Sequence, residues 1–384
     1  MTTSYILTDR SALDAAVEAW ITDEATAIET YGDINTWDVS AITDFSELFR
    51  DKTEFNSDIS DWDVSNGTDF SFMFFLAKEF NQDIGDWDVS KAESFNRMFG
   101  VAESFNQDIG DWDVSNATDF SGMFYVAKSF NQDIGDWDVS KGTDFSTMFD
   151  LAKVFNQDIG GWDVSSGKKF DVMLSRTEEF NQDIGDWDVS NGETFFGVFS
   201  QTKKFDQDIS GWDVSNGSNF YGMFAWSEAF NQDISNWDVS NGTEFMRMFY
   251  DADAFDQDLG AWEVNTNKVT DMFGLSDKML ENGWSATPAA SDFHKPRLGV
   301  FTDRAELDTA IEAWITDEAA AIETYGDINK WDVSEIADFS DLFKDKTEFN
   351  SDIHDWDVSN GTNFRRMFHG ASGFNQYIGG WDVS

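Results

Sequence analysis

The stretch "FNQDIGDWDVS" occupies residues 80–90 and sets three carboxylates, Asp83, Asp86 and Asp88, around one tryptophan, Trp87. Near-copies return at one fixed interval: Trp37, Trp62, Trp87, Trp112, Trp137, Trp162, Trp187, Trp212, Trp237 and Trp262 stand 25 residues apart, without an insertion. Such strict spacing predicts a solenoid, because one extra residue would displace a whole coil from its neighbour.

Two hydrophobic periods alternate within each unit. In "TDFSFMFFLAKEF" the apolar residues Phe70, Met73, Phe74, Ala77 and Phe80 fall on one face of a short helix, with Thr68 or Asp69 to cap its first turn. In "DIGDWDVS" Trp87 and Val89 point one way while Asp86, Asp88 and Ser90 point the other, as in a half-buried strand. The expected architecture is therefore an α/β repeat solenoid with one short parallel strand and one short helix per 25-residue coil. Strands at about 4.8 Å per rung give an array on the order of 45 Å long.

The expected organisation is a helical N-terminal cap over 1–32, a ten-rung solenoid over 33–284, a linker over 285–299, a second helical cap over 300–326 and an incomplete three-rung solenoid over 327–384. The first cap reads as a helix with Thr8 as N-cap and Leu13, Val17, Trp20 and Ile21 on its apolar face, lying over the Trp37 rung. The second repeats it at an offset of 294, Trp314 matching Trp20. Pro288 and Pro296 mark the linker. The last rung, at Trp381, predicts an open sheet edge suited to self-association, or a fragment of a longer tandem protein.

The chain carries 74 acidic and 25 basic residues, a net charge of −49, against 41% hydrophobic and 16% aromatic residues. That much apolar surface folds despite the charge. The acidity argues against nucleic acid and anionic membrane surfaces as partners, and no apolar run reaches membrane-spanning length. There is no cysteine, hence no disulfide or thiol chemistry, and no signal peptide is read. His294, His354 and His369 do not recur as part of a site, and no phosphate-cradling glycine loop occurs, so no enzyme is expected.

The run "FNQDI..WDVSN.TDFS.MF..A" resembles the repeat of BspA-like, leucine-rich-repeat-type surface proteins, from Asp33 to Val264 and again from Asp327 to Ser384. That resemblance implies a cell-surface or secreted scaffold with an adhesive role. It departs from the family at Gly67, Ala117 and Gly142, where an apolar residue is usual.

Two aspartate columns persist, one through Asp58 and Asp83 and one through Asp63 and Asp88; the third, through Asp61, Asp86 and Asp111, lapses at Gly161, Gly211, Asn236 and Ala261. The persistent columns are read as tied to the fold, and the first, through Asp58 and Asp83, as an Asx-type turn that ties a corner, with stacked asparagines such as Asn81, Asn106 and Asn131 bonding coil to coil. The competing reading is calcium, with Asp61, Asp63, Asp86, Asp88, Asp111 and Asp113 as ligands. In "DWDVSNGTD", however, Gly67 comes one place late and Phe72 stands where a bidentate Glu belongs. Carboxylates about 5 Å apart repel by roughly 0.8 kcal/mol even in water, so such ladders gather cations in any case.

The variable positions Phe75, Leu76, Tyr125, Val126 and Trp226 are the expected binding surface. The reading is thus a structural or adhesive scaffold for protein or glycan contacts. The alternatives are a calcium-dependent extracellular scaffold and a carbohydrate- or ice-binding module.

Overall fold

A computed structural model describes residues 5–289, 292–293, 299 and 301–383, the Glu323 side chain excepted. Much of the expected linker, Pro296 included, lies outside these residues, as do the first residues of the first cap and Ser384. The chain forms two compact units, Met1–His294 and Lys295–Ser384.

Unit 1 opens with helices α1 (Arg10–Thr22) and α2 (Glu24–Tyr31) and a 3-10 turn over Ile34–Thr36. Asp9, not Thr8, caps α1, its carboxylate accepting from Ala12 N at 3.0 Å. Leu13, Ala16, Val17 and Trp20 are buried on its inner face; Ile21, expected with them, is exposed. Trp20 meets Trp37 edge-on at 5.9 Å and donates its indole N–H to Ser57 Oγ at 2.9 Å, seating α1 on the first coils. Leu7 N and Asp38 N exchange bonds with Asp38 O and Tyr5 O at 2.9 Å.

Each coil has turns where the sequence predicts a short helix. Met73, Phe75 and Ala77 donate N–H bonds to Phe70, Phe72 and Phe74 three residues back, while Phe70, Phe72, Phe74 and Leu76 donate to Ser94, Asn96, Met98 and Gly100 in the next coil. Left-handed backbone at Phe72 (φ 58°) and Leu76 (φ 65°) swings alternate peptide groups outward to make this pattern. An α-helix would consume its N–H groups internally and is about 10 Å wide. Phe74 and Phe99, equivalent rings in successive coils, are only 5.6 Å apart, so the compact turn fits the rise and a helix does not.

The parallel pairing also moves. Isolated parallel bridges run Asp44–Asp69–Ser94–Asp119–Asp144–Lys169–Thr194, at the start of the turn segment and not at "DWDVS". The side-chain alternation there is nevertheless present, with Trp87 and Val89 buried and Asp86 and Asp88 exposed.

The core is a set of ring columns. Phe74 stacks on Phe80 within its coil at 3.9 Å and on Phe49 and Phe99 in the flanking coils at 5.4 and 5.6 Å. Each buried indole also ties two coils: Trp87 Nε1 donates to Ile59 O at 3.2 Å and Trp112 Nε1 to Ile84 O at 3.1 Å. Gly67 is small because a Cβ there would collide with the Phe70 ring; Gly142 meets the Phe145 ring the same way. After Trp262 the inter-coil bond from Phe245 reaches Lys268, one residue short of the usual step. Helix α3 (Asp277–Glu281) follows, with Met279 buried.

Unit 2 repeats the plan with α4 (Arg304–Thr316) and α5 (Glu318–Tyr325), Asp303 as N-cap and Trp314 edge-on to Trp331 at 5.7 Å. Its coils stack Trp331, Trp356 and Trp381 at 6.3 and 6.4 Å.

Candidate functional site

The persistent aspartates close turns. Asp83 Oδ1 accepts from Gly85 N, and Asp88 Oδ1 from Ser90 N, both at 3.0 Å. Asp58, Asp63, Asp108 and Asp113 do the same with Ser60, Ser65, Gly110 and Ser115. The Ser90 hydroxyl and N–H hold the Asp88 carboxyl below its ordinary value. The third column does otherwise: Asp61 pairs with the Asn35 amide at 3.3 Å through its carboxylate and 2.8 Å through its N–H, while Asp86 and Asp111 lie exposed on the surface. Among the described residues no group of three or more His or acidic side chains is arranged to hold a metal ion. The calcium candidates are thus spread one pair per coil, with Asp63, Asp88 and Asp113 each spending an oxygen on the backbone.

The asparagines form a second tie. Asn81 Oδ1 accepts from Asn106 N, Asn106 Oδ1 from Asn131 N and Asn131 Oδ1 from Asn156 N, each at 2.9 Å. These bonds fix register between coils without any β-strand.

The variable residues collect on the turn ladder. Phe75, Leu76, Tyr125 and Val126 are half-buried there, and Trp226 is 37% exposed. Sequence reasoning found these and missed their neighbours. Arg50 lies over the rings of Phe72 and Phe75 at 5.3 and 5.7 Å, and Arg97 over Phe72 and Tyr125 at 5.9 and 5.8 Å. Farther along, Phe196 packs on Tyr221 at 5.3 Å, Trp226 on Tyr250 at 5.3 Å, and Arg247 covers Tyr250 at 5.3 Å. Phe72, Arg97 and Arg247 share a column with Gly122, Gly197 and Gly222, all left-handed. Those glycines are the sequence trace of an outward-turned position that the helical reading concealed.

Between the two aromatic ends runs a shallow groove of about 570 Å³ across four coils, lined by Leu151, Arg176, Gln201 and Trp226 in one column and Lys153, Glu178, Lys203 and Glu228 in the next. Most of its charges are tied. Arg176 grips the buried Asp150 through Nε at 2.9 Å and an Nη at 2.6 Å, and Glu178 bridges Lys153 and Lys203 at 2.6 and 3.1 Å. Burial pushes the Asp150 carboxyl up against the opposing pull of Arg176.

Stacked coils with constant hydrogen-bonding columns and one variable face define a repeat protein. The chain belongs to the family described as "Mycoplasma protein of unknown function, DUF285", whose model matches residues 19–129, 106–201, 193–285 and 317–384. No curated protein matches the chain, and no solved structure does. No helix among the described residues is long and apolar enough to cross a membrane.

Proposed function

We infer that the chain is a non-enzymatic structural or adhesive scaffold, at a cell surface or outside the cell, whose turn face contacts proteins or glycans. One observation carries this reading: side chains that tie coils together recur almost unchanged, whereas unlike aromatic, cationic and polar groups gather on the turn ladder. Variation confined to one face of a rigid scaffold is how repeat proteins acquire specificity. The stacked coils suit a solenoid of the leucine-rich-repeat-like α/β class, with a ladder of turns in place of each helix. The likeness of the repeat to BspA-like surface proteins supports the surface setting. A calcium-dependent scaffold is the second reading, favoured by Asp86 and Asp111, exposed carboxylates that close no turn.

The test immobilises the full chain and probes it with glycan arrays and labelled extracellular proteins. A turn-face variant, Leu76→Asn with Tyr125→Ser and Trp226→Asn, is expected to lose at least tenfold in binding. Asp86→Asn with Asp111→Asn, on another face, is expected to retain it. Equal binding by both variants refutes the reading.

A further inference from the structure

The geometry points to the groove at Leu151, Arg176, Gln201 and Trp226 as a binding site for an uncharged glycan chain, laid across four successive coils. This deepens the reading above and rests on it.

Charge selects against ionic polymers. The chain carries −49 overall, so any polyanion, acidic polysaccharides included, is repelled on approach. A polycation is drawn instead to the exposed aspartate columns on other faces. In and beneath the groove the formal charges sum to zero, Arg176, Lys153 and Lys203 against Asp150, Glu178 and Glu228. What faces the ligand is a locally balanced, strongly hydrogen-bonding strip.

The form of the side chains suits a sugar. Trp226 offers a flat ring, 37% exposed and braced at 5.3 Å by Tyr250. An indole pairs an apolar face with a polar edge and stacks on the C–H face of a pyranose. Beside it stand Gln201, the Arg176 guanidinium and the Glu228 carboxylate, groups that donate to and accept from hydroxyls. Arg176, Lys153 and Lys203 are already held by ion pairs, so they lose little freedom when a ligand arrives.

The spacing also repeats. One residue of the column comes from each coil, at a spacing of about 5 Å, so the groove presents one side chain to the ligand at each regular step. It is open along its length, which suits a chain in place of a single enclosed sugar. A protein partner ordinarily buries about 800 Å² per side around an apolar centre. Trp226 is the one exposed aromatic lining this groove, and most of its neighbours are polar or charged.

The test uses the full chain in native gels cast with single soluble polysaccharides: a β-glucan, a xylan, a mannan and a galactomannan, with alginate as the acidic control. Isothermal titration with the matching hexasaccharide follows. Retardation is expected in at least one neutral gel and not in alginate. Trp226→Asn, whose new side chain tolerates the left-handed backbone at φ 58°, is expected to lower the association constant at least tenfold. Gln201→Ala is expected to lower it several-fold, and Gly161→Ala, on the exposed column of Asp86 where an added Cβ meets nothing within 4 Å, to leave it unchanged. Unaltered melting curves confirm that the variants fold.

Retardation in no neutral gel, or equal retardation of Trp226→Asn, overturns the glycan site. If a labelled protein is meanwhile bound and lost with the turn-face variant, the face is a binding surface and only the glycan assignment falls. If neither assay responds to any turn-face substitution, both fall.

Discussion

Asn131 tests whether the asparagine column holds the coils through its carbonyl oxygen alone. Its Oδ1 accepts the half-buried N–H of Asn156 at 2.9 Å, and its own N–H is received by Asn106 Oδ1 at 2.9 Å. Asn131→Leu keeps the backbone bonds of residue 131 but leaves the Asn156 N–H without a partner, a loss of about 1–3 kcal/mol. Asn131→Asp keeps an acceptor in place. The chain contains that substitution already: Asp206 occupies the column and accepts from Asn231 N at 2.8 Å. The aspartate variant is therefore expected within about 0.5 kcal/mol of the parent. At roughly 2 cal/mol/K of unfolding entropy per residue, the leucine variant shifts melting of the 294-residue first unit by about 2–5 °C. Denaturant midpoints give the comparison, and hydrogen exchange at the Asn156 amide locates it. Equal destabilisation by Leu and Asp would refute the reasoning, since the acceptor would then not be what matters.

Three further outcomes follow from the same geometry. Thr147 sits at φ 57° and Gly122, one coil earlier in the same column, at φ 63°. Thr147→Gly should stabilise by about 1 kcal/mol, while Gly122→Ala, whose Cβ would lie 2.7 Å from Arg97 Cγ, should destabilise; a destabilised Thr147→Gly or a stabilised Gly122→Ala in denaturant melts would contradict the left-handed assignment. Asp88, Asp138, Asp188 and Asp238 are held below their ordinary 3.8 by serine hydroxyl and N–H bonds. The unfolded state therefore binds more protons, and their stabilisation is complete above pH 3.8 and lost as pH falls through the lowered folded values. Asp150 and Asp171, raised by burial, have the opposite sign but are outnumbered, so a melting temperature that rose on acidification below 3.8 would be incompatible. Melts at fixed ionic strength in chelator, millimolar calcium and matched magnesium should coincide; a rise with calcium alone would mean selective sites on the folded state.

The sequence displays which side chains turn inward far better than it displays the backbone path. Phe70, Met73, Phe74, Ala77 and Phe80 are all buried, and so are Trp87 and Val89. Yet a spacing of i, i+3, i+4 and i+7 is met equally by a helix and by three overlapping turns. Hydrophobic periodicity reports facing and says nothing of hydrogen-bond partners. Phe72 and Leu76 carry none of the usual marks of left-handed backbone; the glycines at Gly122, Gly197 and Gly222 and the aspartates at Asp51 and Asp251 hint at it. The stack imposes that conformation, because each coil must offer peptide groups to the next at a rise too small for a helix. The proposed binding face is legible for the same reason only in part: Leu76 and Trp226 stand out by variation, while Phe72 and Arg97 lie in segments whose periodicity reads as a helix.

Constancy and variation along the chain then have one physical cause. The persistent Asp columns close turns, the Asn column accepts from the next coil, and the Trp column donates to the preceding one, so a change at any of them strands a hydrogen-bonding group. On the turn ladder the inter-coil bonds belong to the backbone itself, from Phe70, Phe72, Phe74 and Leu76 to their successors. The side chains of Phe75 and Leu76 carry no part of that backbone register, and where Asp150 and Arg176 stand in their columns they add an ion pair to it without replacing it. Such positions are free to become Arg176, Gln201 or Trp226 without loosening the stack, which makes the turn ladder the face on which binding specificity can be written at least cost to folding.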